Sequence, residues 1–521
     1  MLKNLAVACS TLFLLGISLE AESNSCPKLY KKSEFNLSFN PAFLHVDRYN
    51  DGNGLAISSF ANRDARVPGG FFQRDLVARI PRVNRVANHQ FNESDHLEIL
   101  SDLDYMGQGP ARTVWPNSVT RAPDGLVPFE AMIVPQGFLS TPFAGRLTLI
   151  NLDDPDKTEY VIHQSGLHDA MGAFYHNVVI HDMDADGYDD IVSVRSTFNV
   201  ILGTPPFGEL VWFKNPGDAL DPDTPWEETL LVGGPTIGFQ GPDIHLTAHD
   251  FEGDGIPEII ATHFFTGGDG SPQPTTGKIA IYGAPAGLLW SEVNPFYAPV
   301  RSADISTDQG FPFDLEIVDL NKDGRVDILA SNHQPDACRP FPTVPGRVYA
   351  LEMPESGDLF NDPWPVHVLL DNIRPQPSLP GTRGLGRLAP GKATAFYEKK
   401  KHKRSKKRKP SIVVGGDEAG KVWVLRPEKK KKKDDWNYTA SIIFDINDHY
   451  GEGTTQRVTD AGITVSTLGS VAVSYSRGKA NLFIPVFEGK DIFVYSFDKK
   501  RSGERVECLE DVMLACPAPL K

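Results

Sequence analysis

From residue 174 onward, short apolar runs alternate with polar turns on a fixed beat. HNVVIH (176–181), IHLTAH (244–249) and DLEIV (314–318) each run into an acidic turn, and IVSV, IIAT and DILAS follow those turns. A glycine-led run comes next in every case: Gly208–Phe213, Gly277–Tyr282 and Gly346–Leu351. A fourth run follows a tryptophan-bearing turn, as in Trp226–Leu231 and Trp364–Leu370. Short apolar runs bounded by turn formers predict strands. Gly 46 and Pro 41 make roughly one residue in six a turn former, and long stretches of helical spacing are absent. The expected class is all-β.

The acidic turns are copies of one another. Asp182-Met-Asp184-Ala-Asp186-Gly187-Tyr188-Asp-Asp190, Asp250-Phe-Glu252-Gly-Asp254-Gly255-Ile256-Pro-Glu258 and Asp319-Leu-Asn321-Lys-Asp323-Gly324-Arg325-Val-Asp327 follow D-x-[DEN]-x-D-G-x-x-[DE]. Their starts lie 68 and 69 residues apart, which marks a repeat architecture. Side-chain oxygens at positions 1, 3, 5 and 9 and the carbonyl at position 7 (Tyr188, Ile256, Arg325) would wrap a hard cation, with glycine at position 6 for the sharp turn. Calcium suits that all-oxygen set better than magnesium, and zinc lacks its Cys or His ligands. An EF-hand would need a bidentate Glu at position 12, where Ser193, Ala261 and Ala330 stand. The turns therefore join strands and are expected to clip a scaffold.

Four strands per unit of this size predict the blade of a β-propeller. Weaker copies fill the rest of the chain: Val114–Gly125 with EAMIV and Gly145–Ile150, Asp47–Gly52 with an incomplete frame, Ser411–Leu425, and Ile463–Phe497. Openings near residues 43, 112, 175, 243, 312, 384 and 464 make seven blades, although six or eight also fit the spacing. The propeller is expected over 27–500, with a tail at 501–521. Glu34–Phe39 is a suitable strand to close the ring against Ile492–Phe497.

On these repeats the chain resembles the FG-GAP or VCBS class of calcium-bearing propellers, the fold of the integrin alpha-chain head. The resemblance implies carboxylate loops between the first and second strands of a blade, with Ca2+ as a stabilising ion. The Asp182 and Asp319 loops match the motif fully, and the Asp250 loop carries glutamates at two places. The FG-GAP dipeptides themselves are absent. A looser similarity links the chain to the propeller of fungal aldos-2-ulose dehydratases, whose additional domains it has no length to hold.

The beginning of the chain reads as a secretory signal over 1–21: Lys3, an apolar run from Leu5 to Leu19, and small residues near Ser18 and Ala21. No later run approaches the ~18–20 apolar residues of a membrane span, so a secreted protein without a transmembrane segment is expected. Cys26, Cys338, Cys508 and Cys516 then allow three disulfide pairings, with an end-to-end staple from Cys26 to Cys508 or Cys516 among them. Asn36, Asn92 and Asn437 head glycosylation sequons and should lie on the surface.

Two features bear on function. Counting back five positions from each acidic turn gives Asn177, His245 and Asp314, with Asn117 at the comparable place in the second blade, and first strands line the central channel. Such polar groups could bind a sugar or serve as acid and base. A hydrogen-bonded channel lining without catalysis is the simpler expectation. The second feature is basic: on a chain of net charge −15, Lys399–Lys409 and Lys429–Lys433 concentrate positive charge in two loop insertions, 399–409 and 428–433, of one blade. They would meet a polyanion, and behind a secretory leader that polyanion is not expected to be a nucleic acid. G-x-S-x-G, P-loop, H-E-x-x-H and CxxC patterns are absent, which removes serine-hydrolase, nucleotide and thiol-redox readings. The expectation is a secreted binding module for an extracellular carbohydrate or protein partner, with a carbohydrate lyase or dehydratase at the channel mouth as the alternative.

Overall fold

The computed structural model describes residues 26–50, 52–60, 75–102, 115–137, 145–164, 173–196, 207–234, 240–267, 276–294, 296–335, 344–376, 388–405, 407–428, 435–450, 467–499 and 503–509. They form seven four-stranded antiparallel sheets arranged as the blades of a β-propeller. Six blades are contiguous, with first strands Pro41–Tyr49, Thr120–Arg121, Phe174–His181, Leu246–His249, Pro312–Val318 and Ala393–Phe396. The seventh is composite. Ala472–Ser476, Lys479–Val486 and Asp491–Ser496 give three strands, and the N-terminal Tyr30–Asn36 pairs antiparallel with Asp491–Ser496 as the fourth.

A strand exposes alternate residues on opposite faces, so a blade flanked on both sides must be apolar on both. Blade three shows this within one strand: Ile191 packs with Ile133 and Leu149 of blade two, while Val192 and Val194 pack with Leu246 and Ile259 of blade four. Seven buried clusters result, one between each pair of neighbouring blades around the ring. The core is thus a set of wedges around a channel.

Ring closure uses an N-terminal strand, as expected, but it spans Tyr30–Asn36 and shares only Glu34–Asn36 with the expected Glu34–Phe39. Phe35 is fully buried between Phe91 and Phe483. A disulfide joins Cys26 to Cys508, 482 residues apart in sequence. Cys338, Cys516 and the leader at 1–21 lie outside the described residues, as does most of the 501–521 tail. Asn36, Asn92 and Asn437 are all exposed, as sequons require. Among the described residues no helix is long and apolar enough to cross a membrane.

Antiparallel order places the first-to-second and third-to-fourth connections of every blade on one face, called here the acidic-loop face. Toward the other face the channel is narrowed by aromatic rings. His176 lies edge-on to Phe43 (5.7 Å) and to Phe313 (5.8 Å), residues of blades one and five, so three rings from non-adjacent blades meet across the axis. His333 stacks on Phe313 at 4.6 Å and thickens this plug.

Candidate cation loops and the channel seam

The three acidic turns share one backbone. Position 6 is glycine with φ of +94° at Gly187, +88° at Gly255 and +102° at Gly324, a region open to glycine and strained for other residues. Position 4 is left-handed too, at Ala185 (φ 59°), Gly253 (73°) and Lys322 (66°). This winding turns backbone N–H groups toward the first carboxylate. Asp182 accepts from the amides of Asp186 (3.2 Å) and Gly187 (3.0 Å), and Asp250 from those of Gly253, Asp254 and Gly255 (2.7–3.0 Å). Asp319 accepts from Lys322 N at 2.7 Å.

The ninth residue seals each turn from below. Asp190 accepts from Met183 N (3.1 Å) and Asn215 N (2.7 Å), Glu258 from Phe251 N (3.0 Å) and Asp327 from Leu320 N (2.9 Å). Burial pushes Asp190 up to about 6, and Glu258 and Asp327 up to about 7, each further raised by neighbouring carboxylates. Such groups gain from a cation that restores their charged form.

The residues fit calcium unequally. Carboxylate oxygens of Asp182, Asp184 and Asp190 lie within 4.8 Å of one another. Asp184, with only 9% of its side chain exposed, has Oδ1 buried without a hydrogen-bond partner. In the third turn Asp327 Oδ1 is likewise buried and unpartnered, beside Asp319 and Asn321. There Arg325 sits on Asp323 Oδ2 at 2.8 Å. In the second turn Arg301 holds both oxygens of Glu252, at 3.0 and 2.8 Å.

Of the sequence-derived channel residues, Asn177, His245 and Asp314 are linked in one seam between blades, and Asn117 makes a separate link. Asn117 donates to Tyr175 O (2.6 Å), linking blades two and three. Asn177 Nδ2 reaches Leu246 O (3.1 Å) and His245 Nε2 (2.9 Å), linking three and four. His245 Nε2 lies 3.1 Å from Asp314 Oδ1, and Lys392 Nζ lies 3.4 Å from the same oxygen. Glu316 Oε2 accepts from Ala395 N at 2.8 Å, a second link between blades five and six. Most of these polar groups are engaged in holding neighbouring blades together.

Charge in the seam is sorted by burial and partner. Burial acts to raise Asp314, but Lys392 and His245 outweigh it and hold the carboxyl below its ordinary value. Asp314 in turn raises Lys392. Burial pushes Glu316 up to about 7 and pushes His176 down to about 3. Lys392 keeps 37% of its side-chain surface although it sits among the inner strands, so water reaches the channel beside it. Lys392 stands five residues before Tyr397 as Asp314 stands five before Asp319; no acidic frame follows it to draw the eye.

On the acidic-loop face, blades six and seven are basic. The first-to-second connection of blade six carries a 3-10 helix, Lys400–Arg404, with no buried residue. Lys399 bridges to Lys479, and Lys400 N donates to Gly478 O at 2.9 Å, which brings Arg477 and Lys479 of blade seven into the same patch. Lys400, Lys401, Lys403, Arg404, Lys407 and Arg408 are exposed and have no carboxylate partner among the described residues. Partial burial pushes His402 down, as do Arg408, Lys399 and Lys401 around it. Lys429–Lys433 lie outside the described residues, between the third and fourth strands of this blade, Lys421–Pro427 and Tyr438–Asp445. On the same face Phe296 and Tyr297 are 85% and 90% exposed at a turn tip whose amides are capped by Asn294 Oδ1.

No protein-family model matches the chain, and no curated protein matches it. The propeller is established by its strands alone.

Proposed function

We propose that the protein is an extracellular binding module: a propeller of FG-GAP or VCBS type, held by calcium, that docks an anionic carbohydrate or protein partner on its acidic-loop face. Asp182, Asp184, Asp186 and Asp190 would hold one ion, and Asp319, Asn321, Asp323 and Asp327 another. Bound calcium would supply positive charge to oxygens that have no other partner, and would thereby rigidify the first-to-second connections of blades three and five.

The observation that carries the docking surface is the basic platform of blades six and seven. Unpaired lysines and arginines on a strongly acidic protein would repel one another less when bound to a polyanion, and a segment pinned by backbone hydrogen bonds loses little entropy on binding. The exposed Phe296 and Tyr297 add an apolar anchor to the same face.

Replacing Lys400, Lys401, Lys403 and Arg404 together by serine should move elution from a heparin column to clearly lower salt while leaving the melting temperature within a degree or so. Retention equal to the parent protein would reject this surface.

A second reading, a carbohydrate lyase at the channel, rests on one observation: Asp314, held ionised, stands two residues from Glu316, which keeps a proton near neutral pH. Carboxyls with separated proton affinities are the usual acid and base pair. Asp314→Asn separates the readings, since it abolishes sugar turnover under the second and leaves heparin retention intact under the first.

A further inference from the structure

The three acidic turns share a frame but differ in what stands beside it. In blade three Ile191 pairs with Phe213, in blade four Ile259 with Tyr282, and in blade five Ile328 with Leu351. Each isoleucine immediately follows the ninth residue of its turn. The residues that come next on the third strands are therefore equivalent: Lys214, Gly283 and Glu352.

Gly283 is the exception that makes room. A Cβ at this position would lie 2.8 Å from Phe360 Cζ and 3.0 Å from Arg301 Nη2. The space is filled by the Arg301 guanidinium, 4.4 Å from the centre of the Phe360 ring, with Nε donating to Ala284 O at 2.6 Å. From this cradle it holds Glu252 in a two-pronged pair and lies 3.6 Å from Glu258 Oε1. Glu252 and Glu258 are the third and ninth residues of the frame, and their extra methylene over aspartate lets them reach a cation lying to the side of the turn.

We propose that the Asp250 turn takes no metal ion, because Arg301 supplies the positive charge that calcium supplies to the other two. This extends the calcium reading given above and depends on it for the contrast with blades three and five. Buried carboxylate oxygens without a partner occur in those two turns, at Asp184 and Asp327, and none occurs among Asp250, Glu252, Asp254 and Glu258. In the third turn Arg325 pairs with Asp323 and leaves Asp327 Oδ1 buried without a partner. Lys214, the cation beside the first turn, is not built like Arg301 either. It is 37% exposed and its polar partners among the described residues are Asp184 and Asp186, so it can swing away when an ion enters. Blade two, whose turn lacks the frame, uses an arginine as well: Arg121 pairs with Asp124 and lies 3.5 Å from Glu130.

Two measurements decide the matter. Calcium bound per chain is counted after equilibrium dialysis of chelator-stripped protein, for the parent and for Asp186→Asn, Asp254→Asn and Asp323→Asn. Two ions are expected, with one lost in the Asp186 and Asp323 variants and none in Asp254→Asn. A count that falls by one in Asp254→Asn overturns the proposal. If no variant or parent binds calcium, the calcium reading itself fails, and the role of Arg301 is then read from melting in chelator. Arg301→Gln should melt several degrees lower than the parent, by the same margin with calcium and without, and Glu252→Gln should reproduce a smaller drop. An Arg301→Gln protein that melts with the parent in chelator would also overturn the proposal.

Discussion

His176 shows how one side chain in the channel plug sets an acid limit on the fold. It is 2% exposed, and burial together with His245, Lys392 and His333 keeps it neutral, against a weaker pull from Asp314. Its folded value of about 3 lies below the ordinary 6.5, so below pH 6.5 the unfolded chain binds the extra proton and the native chain does not. Stability is therefore present above 6.5 and is lost progressively as pH falls toward 3. From pH 7 to pH 5 this single group should remove about 2 kcal/mol. His176→Phe, which keeps a ring between Phe43 and Phe313, should lose less stability over that interval than the parent in denaturant melts, and an unchanged pH slope would contradict the assignment. At Asp314 the expectation is a weakened seam: Asp314→Asn leaves Lys392 and His245 without their shared negative charge and should cost about 2 kcal/mol, reduced from a fully buried pair because Lys392 meets water.

At the scale of elements, the ring depends on a strand that comes from the far end of the chain. Tyr30–Asn36 is held by its pairing to Asp491–Ser496, by the burial of Phe35 and by the Cys26–Cys508 bond. Phe35→Ala should destabilise by about 3–5 kcal/mol, and replacing Cys26 by serine by about 2–4 kcal/mol; unfolding in urea with and without reductant checks both. The strand was legible in part: the alternation over Glu34–Phe39 marked a strand near the N-terminus, while the pairing itself runs over Tyr30–Asn36. The acidic turns were legible because their winding is local: a glycine at position 6 takes positive φ and the first carboxylate accepts from the turn's own amides, all within nine residues. Arg301 and Gly283 were not legible, since they approach the Asp250 turn only after the third and fourth strands have folded back beside it. The same holds for the plug: Phe43, His176 and Phe313 come from three blades that are not neighbours, and only the curvature of the ring brings them together. Asn117, Asn177, His245 and Asp314 were visible as a recurring position, but their use as links between blades appears only in their partners.

For the whole molecule, one face carries both signs of charge. Blades three to five present acidic turns, and blades six and seven present the Lys399–Arg404 segment with Arg477 and Lys479. Calcium in the acidic turns would reduce their repulsion of a polyanion, so heparin retention should be stronger in calcium than in chelator, a difference that shrinks as salt rises. Calcium ions bound only by the folded propeller would hold blades three and five, each contributing about 2.7 kcal/mol when free calcium is a hundred times its dissociation constant. Calorimetric melting of the intact chain in millimolar calcium and in chelator measures this directly. The midpoint should be several degrees higher in calcium, with Asp182→Asn losing part of the gain; identical midpoints in the two buffers would contradict calcium binding in these turns.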